Sequence, residues 1–196
     1  MQALLPRPLP RWKWYLGRWL GYVTLGLLYA LLLFTAILLI ADAHAPIPRD
    51  GAALVKAFLL FGSLVPLLIS LSMLGSGLFS AVGNGVFMTM LYGAGWLGGM
   101  IDKLSGPLGL KEEALNTLHN LTGIMSLLMP ADALQRKMTA ELFSLDELSG
   151  IVSMNFSSFP LMDINSVPSN SFIIYGALYA VVVFTMGLLR FQRKDV

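Results

Sequence analysis

The sequence predicts an all-α fold: a polytopic bundle of about four membrane-spanning helices, with a further external helix that is amphipathic or re-entrant. Three observations predict it. Hydrophobic residues make up 56% of the 196-residue chain and charged residues only 12%, and the mean hydropathy is +0.73, the composition of an integral membrane protein. Four apolar stretches, 16–40, 53–74, 79–101 and 172–189, each come near the roughly 20 residues that carry a helix across hydrocarbon. The Lys and Arg residues gather near the two chain ends and form no stripe of the kind that tracks nucleic acid. The whole of 1–196 reads as one membrane domain.

Residues 1–15 form a basic and aromatic lead-in. Arg7, Arg11, Lys13 and Arg18 flank the start of the first span, and Arg190, Arg193 and Lys194 follow the last. Cytoplasmic flanks of spans are enriched in Lys and Arg, so both termini are expected in the cytoplasm of a multi-pass cell-membrane protein. Trp12, Trp14, Tyr15 and Trp19 fall at the same level and read as an interfacial anchor. The run 16–40 is longer than a signal-peptide core and is expected to be retained. Within it, Gly17 and Gly21 have the four-residue spacing through which helices touch by backbone atoms, either inside one chain or against a second copy.

The loop 41–52 then lies outside, and the second span, 53–74, carries Lys56 at its outer edge, placed to snorkel toward the headgroups. Pro66 lacks a backbone N–H and should bend this helix, as a hinge or as a fixed kink. Gly75 and Gly77 make a charge-free inner turn, giving a second hinge candidate. The third span, 79–101, is rich in small residues, and Gly95 and Gly99 repeat the close-packing spacing. No acid, histidine or arginine occurs in mid-span, which disfavours a proton-coupled carrier.

The stretch 102–170 is expected outside, and acids outnumber bases in it. From Glu112 to Met129, apolar residues recur at spacings of three and four, the pattern of an amphipathic helix. Asn116, His119 and Asn120 make it too polar to span, so it either lies at the interface or re-enters partway against protein. Pro130 stops it, and Asp132 is placed to cap a short helix over 133–142. Ser, Asn and Pro residues over 144–170 predict an irregular packed loop. The last span, 172–189, leads into the tail 190–196.

Catalytic and metal chemistry find little support. There is no cysteine, hence no disulfide or thiolate site. His44 and His119 have no metal-ligand spacing, and no HExxH, GxxxxGK[ST] or GxSxG motif is present. Met125 and Met129 lie one turn apart and could contact a soft ion, but methionine is also an apolar filler. Sequons at Asn120 and Asn155 would face outside. No cofactor and no nucleic-acid partner is expected.

Three segments together carry a resemblance. The run from Ala3 to Gly21, ALLPRPLPRWKWYLGRWLG, resembles the cytoplasmic stretch that enters the third membrane helix of type 2 ABC exporter permeases. Leu127 to Met138, LLMPADALQRKM, is similar to an external segment of bacterial members, and Leu188 to Val196, LLRFQRKDV, to their closing tail. The three occur in the family's order. The resemblance aligns the chain with the third to sixth of the family's six membrane helices, without the first two. It implies a permease subunit of an ATP-driven exporter that forms part of the translocation path. A separate ABC ATPase subunit would hydrolyse ATP and dock near Arg7, Arg11, Lys13 and Arg18, and a second permease copy or homologue would complete the path. The alternative is a truncated or accessory membrane scaffold without transport activity.

Overall fold

The computed structural model describes residues 10–44, 51–105, 112–142 and 169–193. Among the described residues the fold is all-α, with six helices and no strand: α1 (Arg11–His44), α2 (Gly51–Ser76), α3 (Ala81–Ser105), α4 (Glu112–Leu128), α5 (Ala131–Leu142) and α6 (Asn170–Arg193). Three of them, α1, α2 and α6, are long and apolar enough to cross a membrane. With 25 residues α3 has the length as well, but its glycines and Asn84 lower its hydropathy, so the fourth expected crossing has the reach of a span and less of its apolarity. The loop expected over 144–170 lies almost wholly outside the described residues, as do Arg7, Lys194, Asn155, the surroundings of Gly99 and the side chain of His119.

The bundle is organised around α2, which touches α1, α3, α5 and α6. Leu60, Leu64, Leu67 and Leu71 recur every three or four residues along α2 and form a core with Met129, Ala131, Leu134 and Val183. Outward, α1 exposes Leu25, Leu28, Leu32 and Leu39, an apolar surface that a soluble monomer would not present to water. Lys56 is exposed on α2, as snorkelling requires.

Close contacts fix how the long helices lie. A methyl added at Gly26 of α1 would come within 2.6 Å of Val65 on α2, so the two backbones approach through that glycine. Further along, Phe34 packs against Phe58 and Phe61 at 5.5 and 6.1 Å between ring centres. The start of α1 meets the end of α6: Tyr15 contacts the rings of Phe184 and Phe191, each at 5.5 Å. Arg11 Nη1 donates to the Gln192 carbonyl at 3.4 Å. The turn between α2 and α3 joins this end, with Gly77 N–H bonded to the Leu74 carbonyl at 3.0 Å and Gly77 lying beside Arg190. Ser80 starts α3 by accepting the Gly83 N–H at 3.2 Å. These elements form the basic end of the bundle.

The structure bears on four of these readings. Tyr15 is buried and Trp19 is partly buried, so these two rings pack inside the bundle, while Trp12 and Trp14 stay exposed. The reason is Gly187, whose missing side chain makes room on α6 for the Tyr15 hydroxyl. Gly17 and Gly21 have nothing within 4 Å of an added methyl, so among the described residues their spacing meets no neighbour. Asp132 is not the cap of α5: the helix begins at Ala131, and Asp132 sits in its first turn, 3.1 Å from Arg136. Finally, α5, a short helix separate from the long spans, packs charged residues against the bundle, with Lys137 buried.

Candidate functional site

The site is built on the break between α4 and α5. Pro130 has no N–H to continue α4, so the chain turns at Met129 and restarts, with Leu134 N–H donating to the Pro130 carbonyl at 3.1 Å. A helix that stops inside a bundle strands its last carbonyls. Here α6 satisfies two of them. Tyr175 Oη donates to the Leu127 carbonyl at 2.6 Å and Tyr179 Oη to the Leu128 carbonyl at 2.8 Å. Four residues separate the tyrosines, so both stand on one face of α6.

The elbow meets α6 partway along its length. Tyr175 and Tyr179 are five and nine residues along α6 from Asn170, which at 1.5 Å per residue is about 8 and about 14 Å from the far end. Met129 is buried against Gly95 of α3, where an added methyl would meet its Cβ at 3.2 Å, so Gly95 serves contact within the chain and Met129 acts as filler. Leu134 packs against Gly176 of α6 at 3.2 Å by the same measure, and Tyr92 Oη of α3 donates to Gln135 Oε1 at 3.2 Å. Thus α5 is wedged among α2, α3 and α6, while α4, the segment expected at the interface or re-entering, packs along α3.

Its charges are paired along the helix. Asp132 and Arg136 lie 3.1 Å apart, and Lys137 Nζ is 4.0 Å from Glu141 Oε1. Lys137 is only 7% exposed. Ionisable groups inside a membrane bundle are rare and are tolerated where they pair or line a path. Sequence reasoning passed over them because they sit on a helix too short and too polar to be counted as a span. The signal that could have found them was the four-residue spacing of Asp132 to Arg136 and of Lys137 to Glu141 behind a helix-breaking proline.

Beside the elbow, an apolar cavity of about 320 Å³ opens between α1, α2 and α6, walled by Pro66, Leu134, Gly176 and Phe184. Pro66 lies inside a continuous α2. At this level Trp19 Nε1 donates to Ser70 Oγ at 2.9 Å, and Ser70 Oγ donates to the Pro66 carbonyl at 2.6 Å. The chain of bonds ties α1 to the proline turn of α2. Gly75, the other hinge candidate, is buried against the Asn84 side chain.

Arg11, Lys13 and Arg18 each have a partner of their own. Arg11 binds the end of α6, and Lys13 stands over the Trp12 ring at 5.6 Å. Arg18 donates from Nε to Tyr22 Oη at 3.0 Å and lines a second cavity at the basic end. His44 Nδ1 is 2.9 Å from the Ile40 carbonyl of its own helix.

No family model, curated protein or solved structure matches this chain.

Proposed function

We propose that this membrane protein is a permease subunit of an ATP-driven ABC exporter, resident in the cell membrane with both described chain ends on the cytoplasmic side. The observation that carries the reading is the elbow. Non-helical backbone at membrane depth is tolerated where protein or a cavity lines it, and broken helices of this kind occur in transporters. The elbow also coincides with LLMPADALQRKM, the segment that resembles the external part of those permeases. In this reading α3 is the fourth crossing, and α4 and α5 enter from the outside to obstruct the path between α2, α3 and α6. A partner ATPase docks on the basic end through Arg7, Arg11 and Lys13, with Arg18 deeper along α1. The open glycines of α1, Gly17 and Gly21, face a second copy.

The test is co-expression with a candidate ABC ATPase subunit, purification in mild detergent and reconstitution in liposomes. The expected result is a stable complex whose ATP hydrolysis requires the permease, and which is lost when Arg11→Glu and Lys13→Glu are combined. A chain that folds and never retains an ATPase, or that retains one without altering its hydrolysis, would refute the exporter reading and favour the scaffold.

A further inference from the structure

At the basic end, a cavity of about 680 Å³ lies between α1, α2, the start of α3 and α6. Its mouth carries Arg18 and Arg190, and its walls include the aromatic Trp14 and Tyr22 and the apolar Ile69 and Met73. Both arginines are exposed. No Asp or Glu occurs on α1 before Asp42, on α2, on α3 before Asp102, or anywhere on α6. The cavity therefore holds two guanidinium charges, and the stretches of α1, α2, α3 and α6 that line it carry no carboxylate to neutralise them.

Tyr15 and Asn84 also line the cavity. The Tyr15 hydroxyl is seated on Gly187 and the Asn84 side chain on Gly75, and Asn84 Nδ2 donates to the Ser72 carbonyl at 3.0 Å. Depth narrows the choice of ligand. Arg18 stands seven residues beyond Arg11, about 10 Å further along α1, so a ligand bridging Arg18 and Arg190 sits where headgroup gives way to hydrocarbon. It needs oxygen-rich negative charge for the guanidinium forks and an apolar body for the wall of Ile69 and Met73.

We infer that this cavity binds a phospholipid with a net negative headgroup, its phosphate held between Arg18 and Arg190 and its glycerol and upper acyl carbons against α2. A zwitterionic lipid would place its ammonium in the same uncompensated positive field and is discriminated against. The inference does not depend on the exporter reading.

Native mass spectrometry of the purified chain, with phosphatidylglycerol and phosphatidylcholine supplied together, tests it directly. The expected result is preferential retention of phosphatidylglycerol. Arg18→Gln combined with Arg190→Gln should weaken that retention about thirtyfold, which corresponds to about 2 kcal/mol at 1.4 kcal/mol per tenfold and about 1 kcal/mol per cation. Arg11→Gln with Lys13→Gln, the same change in charge outside the cavity, should leave it nearly unchanged. Equal retention of the two lipids by the unaltered chain overturns the inference whatever the variants do. An equal loss from both double variants overturns it in favour of diffuse attraction to the basic end. Displacement of the lipid by excess inorganic phosphate overturns it in favour of a site for a soluble anion.

Discussion

Replacing Tyr175 and Tyr179 together with phenylalanine removes the two hydroxyls that hold the elbow and little else. Each hydroxyl donates to a carbonyl at the end of α4, at 2.6 and 2.8 Å. Phenylalanine keeps the ring packing, including the 5.4 Å contact between Phe172 and position 175. The magnitude has two bounds. Hydrogen bonds between membrane helices average about 0.6 kcal/mol, which gives about 1 kcal/mol for the pair. Leu127 and Leu128 are exposed, so the full penalty of a buried unpartnered carbonyl, about 1 to 3 kcal/mol, is the upper limit, and Pro130 prevents α4 from growing another turn to recover the bonds. The double variant should therefore lose about 1 to 3 kcal/mol, with each single variant losing part of that. Reversible unfolding in mixed detergent micelles measures it. Tyr29→Phe is the control, because Tyr29 is 62% exposed on α1, and it should be neutral. A double variant within about 0.3 kcal/mol of the parent, the usual margin of such comparisons, would refute the claim that these tyrosines hold the break in place.

Two further outcomes separate packing inside the chain from packing between chains. Gly26→Leu should destabilise the bundle by about 1 to 3 kcal/mol through overpacking against Val65, whereas Gly17→Leu should leave monomer stability unchanged and abolish self-association, read by unfolding and by crosslinking in the membrane. Gly95→Val should drive Met129 out of its seat and cost a similar amount, and limited proteolysis at the α4–α5 junction should speed up while the contact of α1 with α6 is preserved.

Much of the architecture could be read from residue order alone, because lipid imposes length and polarity on each segment. The stretches 16–40, 53–74 and 172–189 all lie inside observed helices, and each helix runs a few residues beyond its apolar core. Pro130 marked the break. The arrangement of faces was harder to read. A helix such as α2 is apolar all round, so no stripe tells which side meets protein and which meets lipid. That is why Leu60, Leu64, Leu67 and Leu71 could not be picked out as the core, and why Tyr15 and Trp19 were placed at the interface. Gly17 and Gly26 look alike in the sequence, yet only Gly26 meets a neighbour, because contact depends on the rotation of α1 against α2. Asp132 was ambiguous between a cap and an ion pair, two uses of one carboxylate that differ by a single residue in where the helix starts.

The order of synthesis gives the elbow a last consequence. The two hydroxyls that close it belong to α6, which leaves the ribosome after α4 and α5. Until that helix packs against the elbow, the carbonyls of Leu127 and Leu128 lack their tyrosine donors. Closure of the break is thus timed by the arrival of a later helix, and a misplaced α6 would leave the α4–α5 pair without the bonds that fix it.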